Sequence, residues 1–327
     1  MARRDLIVIG GSAGVHTALS NLLSRLPTDL PAAVLVVTHL MPGVRSTLAQ
    51  MLGKDCAMPV SAATDGERIR PGHVYVAVPD RHLVIADDDR LRLTAGPREN
   101  RARPAVDALF RAAARWCGPR VVGVVLSGSL DDGAAGLAAI VEHGGAALVQ
   151  DPDEARFPGM PQAALAAVPP AVTAPAAGLA RLIAEMAGRP VQNGGSSDAA
   201  LIWETDMIVE GRAGGSPGKP VALGCPECGG GMYEIRTGKA VHYACHVGHS
   251  WSPQSFIAAS DNGIEEALWT AVSAMQEKVT MLRSLAANAE EAGEQDAGRA
   301  YQEEADRVCR DADLIRTSIL GSDPAGG

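Results

Sequence analysis

The chain has 327 residues, enough for two domains, and with 46% hydrophobic and 20% charged residues most of it is able to bury a core. Its net charge of −9 speaks against a general nucleic-acid coat, which needs a basic surface, and against attraction to an anionic membrane face. Aromatic residues make up only 3%, a composition suited to helices packed closely on a sheet rather than to an aromatic-rich sandwich.

Leu6-Ile7-Val8-Ile9 is a short apolar run that ends in Gly10-Gly11-Ser12-Ala13-Gly14, and Ala18, Leu19, Leu22 and Leu23 follow at helical spacing. Strand, glycine turn and helix open a βαβ unit. The run is too short for a signal sequence and no stretch reaches the length of a membrane span, so a cytoplasmic protein with no membrane insertion is expected. A second strand over 33–37 ends at Thr38-His39, and a helix carrying Leu48, Met51 and Leu52 comes next. Such continuous β-branched runs predict strands covered on both faces, hence a doubly wound, mostly parallel α/β sheet.

Residues 68–94 read as short strands (73–78, 82–85 and 91–93) separated by turn residues, which predicts antiparallel hairpins decorating that sheet. A helix from 106 to about 116, a strand over 121–126, a helix over 134–142, a strand over 146–150 and a helix around 179–186 complete a first domain over 1–190. Residues 191–221, with Asn193-Gly194-Gly195-Ser196-Ser197 and Gly214-Gly215-Ser216-Pro217-Gly218, have linker composition. A Cys/His module follows over 222–255. Apolar residues then recur in alternating fours and threes from Ile264 to Leu282 and from Tyr301 to Ile319, predicting an antiparallel helical hairpin over 260–321. Its stripes suit either packing on each other or a homo-oligomer formed through these helices.

Gly10-Gly11-Ser12-Ala13-Gly14 fits the G-x-S-x-G pattern, in which glycine neighbours let a serine stand clear on a tight turn. The same turn is also compatible with plain helix–sheet packing or with a nucleotide- or flavin-binding site, although it lacks the G-x-G-x-x-G spacing. His39 and Asp132 stand at or just past the carboxyl ends of two further predicted strands, the edge where doubly wound sheets place their sites. Ser12, His39 and Asp132 thus offer nucleophile, general base and base-orienting acid, in an order unlike that of ordinary α/β-hydrolases. Asp132 is equally placed to cap the helix that begins beside it.

Six segments in order make the chain resemble the catalytic domain of the chemotaxis protein-glutamate methylesterases, the CheB type. They are Ile7-Val8-Ile9-Gly10-Gly11-Ser12-Ala13-Gly14, Val37-Thr38-His39-Leu40-Met41-Pro42, Pro71-Gly72-His73-Val74-Tyr75-Val76-Ala77, Arg103-Pro104-Ala105-Val106-Asp107-Ala108-Leu109-Phe110, Leu126-Ser127-Gly128 with Asp132-Gly133-Ala134-Ala135-Gly136, and Gln150-Asp151-Pro152 with Gly159-Met160-Pro161. The resemblance implies that Ser12 attacks a glutamyl methyl ester on a methylated receptor-type or other signalling protein. His39 would act as base, and Asp132 rather than Asp131 would fix the imidazole. Glutamine deamidation would run by the same acyl-enzyme, with no cofactor for the chemistry and with backbone N–H groups near Ala13 and Ser129 receiving the oxyanion. Two departures bear on pocket shape and oxyanion geometry: Val15 replaces the family's second glycine, and Ser129-Leu130 replaces its Met-Gly. The family's best-known members carry an N-terminal receiver domain, whereas the first catalytic strand here begins at residue 6, so gating by an attached receiver is not expected. A catalytically idle scaffold acting through its tail is the alternative these departures leave open.

Cys225 and Cys228, with two residues between them, precede Cys245 and His249 in a pattern that predicts a four-ligand structural zinc site in a ribbon-like module, with His246 as the competing fourth ligand. Cys56, Cys117 and Cys309 read as isolated buried thiols.

Overall fold

The computed structural model describes residues 2–86, 88–192 and 198–321; the Asn193–Ser197 part of the expected linker and Asp87 lie outside these. The first strands and helices in chain order are β1 (Ala2–Arg3), β2 (Leu6–Gly11), α1 (Val15–Leu23), β3 (Ala33–Thr38), α2 (Leu48–Leu52), β4 (Val60–Ala62), β5 (Val74–Val76), β6 (His82–Ile85) and β7 (Leu91–Thr94). There follow α3 (Val106–Cys117), β8 (Val121–Val125), α4 (Ala134–Glu142), β9 (Ala146–Gln150), α5 (Gly159–Ala167), β10 (Val172–Ala174), α6 (Ala176–Met186) and β11 (Pro190–Val191). The C-terminal part contains α7 (Ala199–Glu210), β12 (Lys219–Gly224), β13 (Gly231–Thr237), β14 (Ala240–Cys245), β15 (Ser250–Trp251), α8 (Pro253–Glu291) and α9 (Gln295–Gly321). Among the described residues no helix is long and apolar enough to cross a membrane.

Seven strands form one all-parallel sheet in the order β10-β9-β8-β2-β3-β5-β4. Every residue of β2 and β3 is buried, because successive side chains enter opposite cores. Leu6 and Val8 pack with residues of α3, α4 and α5; Ile7 and Ile9 pack with residues of α1, α2 and α6. The doubly wound arrangement thus follows from unbroken apolar runs. The chain leaves β2 toward β3 and its outer neighbours and returns on the other side at β8, which makes the carboxyl end of β2 the topological switch point.

Two sequence expectations need correction. Residues 73–78 do not form a hairpin: β5 lies within the parallel sheet between β3 and β4, covered on both faces, and only β6 and β7 pair antiparallel. The stretch read as linker contains α7, whose N-terminus is capped by the Asp198 carboxylate accepting from the N–H groups of Ala200 and Leu201. Trp203 and Met207 of α7 pack with Ile235 and Ala244 of the C-terminal sheet, while Ile208 packs with Val84, Ala105, Ala108 and Ala112. A helix wedged between two neighbours is buried nearly all round and shows no single hydrophobic stripe, which is why its sequence looks featureless. With α7 as wedge, residues 1–256 form one compact unit rather than a domain, a linker and a separate module.

Buried charge joins these parts as well. Arg111 of α3, itself 2% exposed, pairs with Glu99 and lies 3.4 Å from Glu204 of α7; Glu204 Oε1 is 2.6 Å from Nε2 of His242 on β14. Three carboxyls, counting Asp107, thus share one guanidinium. Burial pushes Glu99 up to about 8 against the pull of Arg111, and burial with the nearby Asp132 charge pushes Asp107 up to about 7. Glu204 stays below the usual range despite its burial, because Arg111 and His242 face it.

The second unit, residues 257–321, contains the antiparallel hairpin of α8 and α9. Val279 and Leu282 pack with Ala305 and Val308, and Lys278 pairs with Glu304 at 2.8 Å. Ile264, from the predicted stripe, is 58% exposed.

Candidate active site and metal centre

Ser12 follows the last residue of β2, His39 the last residue of β3, and Asp132 stands between β8 and α4. Since β3 and β8 are the two neighbours of β2, these loops meet above the middle of the sheet. Ser12 Oγ is 2.9 Å from His39 Nδ1, and His39 Nε2 is 2.8 Å from Asp132 Oδ2. An ionised carboxylate only accepts, so Nε2 carries the ring proton and Nδ1 offers its lone pair to the serine hydroxyl. The contacts of the two ring nitrogens are exchanged relative to those of the chymotrypsin-type triad.

Asp132 is buried, which alone would raise its pKa; the His39 contact and the N–H groups of Val106 and Asp107 outweigh this and hold it below the usual range. Those amides, at 2.8 and 3.1 Å, are the first two of α3, so the carboxylate sits at a helix N-terminus. Asp132 therefore caps α3 and not the helix that follows it, whose N-cap is Gly133 at φ 94° with no side-chain bond. Asp131 points elsewhere: it accepts from the Ser252 hydroxyl, and burial raises its pKa.

The glycines around the serine answer to packing. A Cβ on Gly10 would come within 2.1 Å of Val106 Cγ1, and one on Gly11 within 2.3 Å of Val15 Cγ2. Gly14, at φ 69°, ends the turn against Arg156 and Phe157. Val15 is buried in the core. The Ser12 N–H donates to the Ser127 carbonyl at 2.9 Å, and the Ser127 hydroxyl donates to the Ala13 carbonyl at 2.8 Å, tying the turn to the loop after β8. Ser127 is anchored in turn by Gln150, whose Oε1 accepts its N–H at 2.9 Å. Leu130 on this loop is 44% exposed and takes φ 60°, a conformation uncommon for a bulky residue.

A second cluster lies at one end of the antiparallel sheet β12-β13-β14-β15. Cys225, Cys228, Cys245 and His249 place one ligand atom each within 4.8 Å of one another. Cys228 Sγ and Cys245 Sγ are 3.7 Å apart, and His249 Nδ1 is 3.8 Å from Cys225 Sγ and 3.6 Å from Cys245 Sγ. A tetrahedron with zinc–sulfur bonds of about 2.3 Å has edges of roughly 3.8 Å, so the donor set fits that ion. Two matching turns shape it: Gly229 N–H donates to the Cys225 carbonyl and Gly248 N–H to the Cys245 carbonyl, both at 2.8 Å, with φ of 70° and 99° at the glycines. His246 is not among the four; its ring packs over Gly230.

Residues 7–183 match the CheB methylesterase family. The chain belongs to that family. It is 41% identical over 169 residues to the protein-glutamate methylesterase/protein-glutamine glutaminase of Yersinia pestis, covering 51% of this chain and 48% of the relative. It is 44% identical over 162 residues to protein-glutamate methylesterase/protein-glutamine glutaminase 1 of Xanthomonas axonopodis pv. citri, covering 49% and 45%. The chain spans about half the length of the curated relatives it matches. The crystal structure of the Thermotoga maritima CheB methylesterase catalytic domain superposes with a TM-score of 0.54 at 29% identity, over 57% of this chain and 99% of that domain. The CheB fold therefore accounts for the parallel sheet and its helices, and the C-terminal sheet and hairpin lie beyond the matched residues 7–183.

Ser12, His39 and Asp132 form the first group and Cys225, Cys228, Cys245 and His249 the second, with His246 left out. Sequence reasoning missed the supports: Ser127, Gln150 and Asn100, whose side-chain amide donates to Asp132 Oδ1 at 3.4 Å. Ser127 and Gln150 carried a signal, each closing an apolar strand run with a polar residue; Asn100 carried none.

Proposed function

We propose that the chain is a serine hydrolase that removes methyl groups from glutamyl methyl esters on a receptor-type signalling protein, through Ser12, His39 and Asp132. Family membership supports the ester chemistry. The single observation that carries the assignment to residues is the unbroken hydrogen-bonded line from the Ser12 hydroxyl through the imidazole to a carboxylate held ionised.

Ser12 Oγ attacks the ester carbonyl carbon while its proton passes to His39 Nδ1, and the Asp132 carboxylate at Nε2 stabilises the imidazolium. The imidazolium returns this proton to the methoxide oxygen as the tetrahedral intermediate collapses, releasing methanol and leaving an acyl-serine. Water then attacks the acyl carbon, giving its proton to His39, which passes it back to Ser12 Oγ as glutamate departs. With a glutamine side chain the same steps release ammonia. The amides of Ser12 and Gly128 are engaged by the carbonyls of Ser127 and Phe157, which leaves the N–H groups of Ala13 and Ser129 as the proposed oxyanion donors. A nucleotide-binding role is disfavoured because protein atoms already crowd the turn glycines that would have to admit a pyrophosphate.

The Cys/His cluster is proposed to hold one structural zinc, all four positions being protein ligands, in a ribbon-like module over 222–255. Thiols committed to such a site suit a reducing compartment, which supports a cytoplasmic location. The exposed apolar residues of α8 support a homo-oligomer formed through the hairpin.

Methanol release from a receptor-type protein carrying glutamyl methyl esters tests the main reading. Production above the uncatalysed rate is expected from the folded chain, and none would refute it. Metal analysis of the purified chain should give one zinc per chain, lost in Cys228→Ser; a metal-free folded protein would contradict the zinc site.

A further inference from the structure

The catalytic aspartate has a neighbour that belongs to neither the triad nor its helix cap. Asn100 stands on the loop before α3 with φ 50°, a left-handed backbone that asparagine tolerates. Its Nδ2 donates to Asp132 Oδ1 at 3.4 Å, beside the Asp107 amide that the same oxygen accepts. The amide's orientation is set from its other end. Oδ1 accepts from the Ser252 N–H at 2.8 Å and from the Ser255 hydroxyl at 2.6 Å, and two donors there leave Nδ2 no choice but to face Asp132.

The residues that orient Asn100 all come from β15 and the start of α8. The Asn100 N–H donates to the Ser250 carbonyl of β15 at 2.8 Å, and the Ser250 N–H donates back to the Arg98 carbonyl at 3.3 Å. Ser252 caps the start of α8 by accepting from the Ser255 N–H at 3.1 Å, which fixes Ser255 where it meets Asn100. Ser250, Ser252 and Ser255 are all buried, so water does not compete at these bonds. Ser250 directly follows His249 of the Cys/His cluster, so the β15 edge is covalently continuous with that cluster.

We propose that Asn100 is a positioning residue for Asp132 and that the segment from β15 to the first turn of α8 keeps it in place, so that the C-terminal module is a working part of the active site rather than an appendage. The inference rests on the hydrolase reading above. A carboxylate bound by His39, two backbone amides and Asn100 cannot rotate without breaking several bonds at once, and its aim at Nε2 keeps Nδ1 toward the serine.

Asn100→Asp in the full chain separates the two ends of the side chain. It keeps an acceptor for Ser252 and Ser255 and replaces the donor facing Asp132 with a second acceptor. The expected result is a fall in kcat of about tenfold with KM within about twofold, and an equal fall in the rate of fluorophosphonate labelling, which needs no substrate contacts. Zinc content and melting temperature serve as folding controls. Ser255→Ala, which removes one of the two bonds that orient the amide, should lower kcat by about threefold, and it decides the matter if Asn100→Asp does not fold. Parent-like kcat and labelling in the folded variants, with Ser12→Ala inert, would overturn the inference. A Ser12→Ala variant as active as the parent would instead bring down the hydrolase reading on which it rests.

Discussion

Ser12, His39 and Asp132 meet across sequence separations of 27 and 93 residues, whereas the Cys/His cluster closes over separations of 17 and 24. The first group is carried by the ends of three strands whose burial exists whether or not any chemistry takes place. The second is held by two short glycine turns and, on our reading, by a metal. A site borrowed from a rigid sheet should lose function without losing structure when one member is removed. A site closed by its own ligands should lose local structure first.

The sharpest way to break this contrast is His39→Ala, which removes the base but no core contact. Turnover should fall by about 10⁴-fold with the melting temperature nearly unchanged, because the serine then has no proton acceptor. A folded variant with parent-like turnover would show that the sheet-edge group is not the active site.

Arg111→Ala probes the join between the two regions, since Arg111 faces both Glu99 on the catalytic side and Glu204 beside His242 of the C-terminal sheet. Leaving those buried carboxyls without their cation should destabilise the protein by about 3–5 kcal/mol in chemical denaturation. A loss below about 1 kcal/mol would mean that the parts do not depend on this pairing.

Glu99 gives the same join a pH signature. Its folded-state pKa lies above that of the unfolded chain, so the folded state keeps a proton that the unfolded chain releases. Its contribution is thus fully present at low pH and is lost as pH rises from about 4.5 to about 8. Glu99→Gln should flatten that decline, which has a maximum slope of about 1.4 kcal/mol per pH unit. Parallel stability–pH curves for parent and variant would exclude Glu99 as its source.

The smallest expected effect is at Leu130, which holds φ 60° on the loop that ends at Asp132. Leu130→Gly should stabilise the protein by about 1 kcal/mol by relieving that conformation, offset in part by the greater freedom of glycine in the unfolded chain. A destabilised variant would show that the partly exposed leucine side chain makes contacts worth more than the strain.

Much of this was legible from residues alone. The parallel sheet showed because β2, β3 and β8 are continuous apolar runs, and the grouping of Ser12, His39 and Asp132 because each lies at or beyond the carboxyl end of such a run. The Cys/His cluster showed through spacing, and His249 rather than His246 joins it through a turn geometry that spacing does not encode. What stayed hidden depends on neighbours distant in the chain. Helix α7 has no single apolar stripe because two partners bury it, and β5 resembles a hairpin strand until β3 and β4 are seen on either side of it. Asn100 matters only because Ser252 and Ser255, more than 150 residues later, turn its amide toward Asp132.

The most direct test of the central claim is labelling of the native chain with a fluorophosphonate, followed by peptide mapping of the modified residue. Rapid, stoichiometric phosphonylation of Ser12 that disappears in His39→Ala is the predicted result. A native, folded chain that leaves Ser12 unmodified, or modifies it at the same rate without the imidazole, would contradict it.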